Sequence, residues 1–159
     1  MSVDKYPKRV LLATDGSKHS LHAAQKAAQL AKSNDSQVTI VNVLQPYLYP
    51  YPVPMSGIGG AFPSPTEVVD TIESEEEVMA RGKAVMESTR EVFDDLSVKV
   101  NTRFLKGNIA KAIIDEAIKE KSDLIVVGAT GYGGVAEWLL GSTAHKVARN
   151  SPCPVMIVR

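Results

Sequence analysis

Residues 122–143 read SDLIVVGATGYGGVAEWLLGST, and this stretch decides the fold. Leu124 to Val127 form a continuous apolar run, as expected of a strand buried on both faces of a parallel sheet. Five glycines follow, at positions 128, 131, 133, 134 and 141, out of only 11 in the chain. Glycine costs backbone entropy and packs nothing, so such a cluster marks close backbone approach or a positive φ. A short helical pattern then begins at Ser142 and runs to Asn150. Strand, glycine loop and helix in this order point to an α/β protein with a ligand crevice beyond the strand ends.

The same alternation extends outward in both directions. RVLLAT (9–14) is another buried run; DGS breaks it, and Leu21, Ala24, Ala27, Ala28 and Ala31 then recur at helical spacing. QVTIVNVL (37–44) is β-branched and reads as a second strand, and SVKVNTRFL (97–105) alternates as an outer one. In KGNIAKAIIDEAIKE (106–120), Asn108 is the expected N-cap, with Ile113, Ile114, Ala117 and Ile118 as the buried stripe. PVMIV (154–158) reads as the last strand. The expected fold is one α/β domain over residues 1–159: an open, Rossmann-like parallel sheet of five strands in the order 3-2-1-4-5, with helices on both faces.

One segment interrupts the pattern. Residues 45–65 hold six of the nine prolines and three of the five tyrosines, which predicts a long loop without strand or helix. It leaves the second strand at its ligand end, so a flap near the site is expected, hinged at Gly57, Gly59 and Gly60. A helix should follow, capped at Ser64 or Thr66, with Val69, Ile72, Met79, Met86 and Phe93 in register across the acidic run ESEEE.

Composition excludes several function classes. Eighteen Lys and Arg balance eighteen Asp and Glu, so no global field recruits nucleic acid or an anionic membrane. No apolar stretch approaches the roughly 20 residues of a membrane span, and the N-terminal apolar run is too short for a signal peptide core. The single cysteine, Cys153, cannot form an internal disulfide and reads as a small buried hydrophobe. A cytoplasmic protein is the expectation.

The glycine loop admits three readings. A dinucleotide fingerprint belongs after the first strand, with a second half-sheet behind it, whereas this loop has one strand still to come. A small NAD(P)-dependent oxidoreductase is therefore the weakest alternative. A Walker-type phosphate loop needs Gly-Lys followed by Ser or Thr, which occurs nowhere in the chain. The third reading is a resemblance: Gly128-x2-Gly131-x9-Gly141-Ser142 is similar to the signature of the ATP-binding branch of the universal stress proteins.

Other segments carry the same resemblance. ATDGS (13–17) resembles that family's first strand ending, with Ala13 where many nucleotide binders have proline. VNV (41–43) and SPCPVMIV (151–158) match its second and closing strands, and in KGNIAKAI (106–113) Ile109 replaces the proline of the family's Gly-x-Pro. The resemblance implies an ATP-binding, nucleotide-dependent sensor or regulatory module of the stress response. It implies contacts from Ala13, Asp15 and Val43 to ribose and adenine, and from Gly128, Gly131, Gly141, Ser142 and Thr143 to the phosphates. AMP or another adenine nucleotide is an alternative ligand. The family also implies a homodimer through the last strand, whose apolar edge is otherwise an association hazard. A nucleotide-free dimeric interaction protein of the same fold is the rival.

No Lys or Arg lies in 128–143, so Mg²⁺ acting through the phosphates is expected to carry the countercharge. No base or arginine is positioned to activate water, which predicts binding with at most slow hydrolysis and no catalytic residue. His19 and His22 read as a solvated helix face without enough ligands for a metal, and His145 as a surface residue near the phosphates.

Overall fold

Edge-to-edge pairing of the short apolar runs builds the molecule. The computed structural model describes residues 6–46, 48–53, 67–131 and 139–159. Its elements are β1 (Arg9–Ala13), α1 (Lys18–Asn34), β2 (Gln37–Leu44), β3 (Leu48–Val53), β4 (Glu67–Ile72), α2 (Glu75–Glu91), β5 (Lys99–Lys106), α3 (Ile109–Lys119), β6 (Leu124–Gly128), α4 (Ser142–Asn150) and β7 (Val155–Val158). Five of the strands form one parallel sheet in the order β5-β2-β1-β6-β7, which is the expected 3-2-1-4-5 order of the main strands.

The two-residue period of the strands sorts the core into two layers. Val10, Leu12, Val38, Ile40 and Val126 meet the alanine stripe of α1 and Met86 and Phe93 from the α2 side. Leu11, Val41, Ile125 and Val127 meet Ala110, Ile113 and Ala117 of α3 and Ala144 and Val147 of α4. The stripe Ala23, Ala24, Ala27, Ala28 and Ala31 is fully buried, and its small side chains let α1 lie close on the sheet. On α3 the buried stripe is narrower than its periodicity suggests: Ile118 is 58 % exposed and Ile114 is half-buried, while Glu116 is buried.

Residues 48–53 and 67–72 depart from the sequence expectation. Leu48–Val53 and Glu67–Ile72 pair as an antiparallel two-stranded ribbon, from Leu48 opposite Ile72 to Val53 opposite Glu67. Prolines 50 and 52 sit in a strand that is paired on one side only, the setting to which strand prolines are confined. Val68, Val69, Thr71 and Ile72 are β-branched and satisfy strand alternation as well as helical spacing, and the strand wins. The following helix starts later than expected. Ser74 caps α2 in a full capping box with Glu77, an S-x-x-E signature that lies openly in the sequence. Ser64, Thr66, the hinge glycines and the tip of the expected flap lie outside the described residues.

Candidate functional site

The carboxyl ends of β1 and β6 lie side by side, because Val10, Leu11 and Leu12 pair with Leu124, Ile125 and Val126. From β1 the chain fills β2 and β5 on one side and β6 and β7 on the other, so strand order reverses between β1 and β6. Ligands of open α/β sheets bind at such a reversal.

β1 runs into the turn Thr14–Ser17. Gly16 takes φ 81°, a left-handed conformation that glycine adopts without strain. The Ser17 N–H donates to Asp15 Oδ1 at 2.9 Å, and Ser17 Oγ caps α1 by accepting from Ser20 N–H at 3.4 Å. The helix cap is therefore Ser17, and Asp15 Oδ2 is left facing Gly131.

Across the crevice, the glycines of the opening motif do different jobs. A Cβ at Gly128 would lie 2.8 Å from the carbonyl carbon of His19 and from Ser20 N, so this glycine lets α1 pack directly on the end of β6. A Cβ at Gly141 would lie 3.1 Å from Ala129 O. The Gly141 N–H donates to that carbonyl at 2.7 Å and folds the far end of the loop onto its start. Gly141 is also the N-cap of α4 and supplies no side-chain cap. The first amides of α4 (Ser142, Thr143 and Ala144) thus have no acceptor within the helix and carry the positive end of its dipole. Gly133 and Gly134 lie outside the described residues.

A cavity of about 320 Å³ fills the space between these segments, and Ala13, Asp15, Val43, Gly128, Gly131, Gly141, Ser142 and Thr143 all line it. Every site residue drawn from the sequence is therefore in one place. Ile109 and Ile113 add an apolar wall from α3, and Thr14, Ser20, Asn42 and Thr130 add polar groups. None of these was expected to contact a ligand: Ile109 stands out in the sequence only where it replaces a proline and Ile113 only in the buried stripe of α3, and nothing local marks Thr130. The lining offers apolar side chains at Val43, Ile109 and Ile113 and, at the start of α4, free amides able to hold an anion. Among the described lining residues Asp15 is the one ionisable side chain. Among the described residues no three His, Cys, Asp or Glu side chains form a metal-binding group.

His19 does not stand on a solvated face as expected. It is half-buried, with Nδ1 2.6 Å from Thr130 Oγ1, and so joins α1 to the loop after β6. His22 Nδ1 lies 3.3 Å from the Arg159 carbonyl, His145 is exposed, and Cys153 is half-buried rather than buried.

The comparisons with known proteins agree with this architecture. The model described as the universal stress protein family matches residues 7–159. A universal stress protein of Methanocaldococcus jannaschii is 33% identical over 152 residues, covering 96% of this chain and 82% of that protein. One from Bacillus subtilis is 34% identical over 151 residues, covering 95% and 98%. Among solved structures, UspA of Lactobacillus plantarum superposes with a TM-score of 0.71 at 21% identity, covering 96% of this chain and 97% of that one. A universal stress protein solved in complex with cAMP gives a TM-score of 0.63 at 25% identity, covering 96% of each chain.

Proposed function

This chain belongs to the universal stress protein family, and from that premise we propose that it binds an adenine nucleotide, ATP with Mg²⁺ in the first instance, in the cavity between β1, β6 and α4. One observation carries the reading: eight residues scattered from position 13 to position 143 line a single cavity at the reversal of strand order. The neighbour solved with cAMP supports the adenine class of ligand. In this reading Ala13, Val43 and Ile109 flank the base, Asp15 accepts from the ribose hydroxyls, and the amides of Ser142 and Thr143 hold phosphate oxygens. The cavity lining and residues 128–143 contain no Lys or Arg, so a triphosphate needs a divalent ion as countercharge. The protein then acts as a nucleotide-dependent regulatory module, dimeric through the outer edge of β7. No described helix is long and apolar enough to cross a membrane.

Mass spectrometry of nucleotide released by heat, followed by calorimetry with ATP, AMP, cAMP and NAD⁺ in the presence and absence of Mg²⁺, tests the proposal. Millimolar or tighter binding of adenine mononucleotides, with ATP dependent on Mg²⁺, is the expected result. Binding of NAD⁺ alone, or of none of the four, sinks it. A nucleotide-free interaction protein has one observation in its favour: contacts within the chain already account for the missing Cβ atoms at Gly128 and Gly141.

A further inference from the structure

Behind the Asp15 turn a buried polar group runs from the cavity wall back to α2, which does not line the cavity. Thr14, Ser20 and Asn42 are at most 5% exposed, and Thr89, on α2, is wholly buried. Thr89 Oγ1 donates to the Val85 carbonyl at 2.8 Å, which commits its only proton. In the 2.9 Å contact between Thr14 Oγ1 and Thr89 Oγ1, Thr14 is therefore the donor and Thr89 the acceptor. The Ser20 hydroxyl, 3.3 Å from Thr14 Oγ1, donates to the Ser17 carbonyl and is the more distant acceptor.

The Thr14 hydroxyl oriented in this way accepts from the Gly16 N–H at 3.3 Å, inside the turn. From β2, Asn42 Nδ2 donates to the Thr14 carbonyl at 2.8 Å and pins the Thr14–Asp15 peptide from the other end. Among the described residues Asp15 itself bonds only forward, accepting from Ser17 N–H. The direction of its free oxygen is thus set by the backbone of Thr14 and Gly16, and that backbone is held by side chains of two other elements.

We propose that Thr89 is a positioning residue for the ligand site: by accepting from Thr14 it fixes the turn that aims Asp15 into the cavity, although it lies 74 positions from Asp15 in sequence and does not line the cavity. The proposal rests on the ligand reading above and adds a remote determinant of affinity to it. Buried hydroxyl networks act in this way because removing one acceptor leaves a donor free to turn elsewhere.

The test separates packing from hydrogen bonding. Thr89→Val keeps the buried volume and removes the acceptor; Thr89→Ser keeps the hydroxyl and leaves a methyl-sized void. Thr89→Val is expected to weaken AMP binding roughly 3- to 10-fold, the scale of one lost hydrogen bond. Thr89→Ser is expected to melt earlier yet bind AMP like the wild type. In an Asp15→Ala background Thr89→Val should add no further loss, because both act through the same carboxylate. In the ligand-free protein the Gly16 amide should exchange faster in Thr89→Val and not in Thr89→Ser. Wild-type AMP affinity in Thr89→Val, additive losses in the double variant, or unchanged Gly16 exchange overturns the proposal. Failure of the wild type to bind either AMP or ATP with Mg²⁺ defeats the ligand reading instead, while Gly16 exchange still decides whether Thr89 holds the turn.

Discussion

Gly131 lies against Asp15: a Cβ on its backbone would sit 2.6 Å from Oδ2 and 3.8 Å from Cγ. The carboxylate is tethered through Oδ1 to Ser17 N–H, so any side chain at 131 has to displace it. Gly131→Val should fold normally, because no backbone atom of the described residues is in the way, and should weaken adenine nucleotide binding about 10-fold or more. Calorimetry on the folded variant checks this. Wild-type affinity would mean that the Gly131–Asp15 contact serves the turn alone.

Gly128 meets backbone rather than a side chain, so its substitution should act on stability. The carbonyl carbon of His19 and Ser20 N, each 2.8 Å from the added Cβ, can move away only if α1 shifts off β6. Gly128→Ala is expected to cost about 1–3 kcal/mol, as overpacking of a close contact does. Urea denaturation of wild type and variant measures it, and equal midpoints with equal slopes would contradict the packing role.

The capping box of α2 should make stability depend on pH on the acid side. The backbone N–H of Ser74 and then its hydroxyl hold the Glu77 carboxyl below the usual carboxylate range. Because the folded value is the lower one, this contribution is present above the unfolded carboxylate value and is lost as pH falls through the folded value. Glu77→Gln keeps the neutral capping box and removes the titrating carboxyl. Melting temperatures of wild type and Glu77→Gln should therefore differ at neutral pH and converge at the acid end. A constant gap between them at every pH would rule the linkage out.

The proposed dimer can be tested at one amide. Ile125 N–H donates to the Pro154 carbonyl and Ala129 N–H to that of Val158, so the even-numbered carbonyls of β7 face β6. Alternation then turns the N–H groups of Val155 and Ile157 toward the free edge. Ile157→Pro removes an outward donor and spares the pairing with β6. Light scattering should give about twice 17.1 kDa for the wild type and the single mass for the variant. A monomeric wild type at micromolar concentration excludes dimerisation through this edge.

Much of this fold is legible in the sequence. The runs at 9–14, 37–44 and 124–128 announce parallel strands because burial on both faces removes polar alternation, and the apolar run at 154–158 announces the half-buried edge strand β7. The cavity-lining residues are legible for a related reason: glycines and a helix start that follow a strand directly leave room at the backbone, so their spacing is a local property of the chain. The ribbon was misread because Val68, Val69 and Ile72 fit two periods at once, and pairing with β3 across a long gap decided between them.

What only the tertiary structure decided are the relations between distant residues. That Gly128 makes room for α1, that Gly131 borders Asp15, and that Thr89 hydrogen-bonds Thr14 are facts about which groups the fold places side by side. A sequence records what each residue is able to donate, accept or bury. Which partner it meets depends on the close packing of the whole sheet and its helices, and no local spacing encodes that.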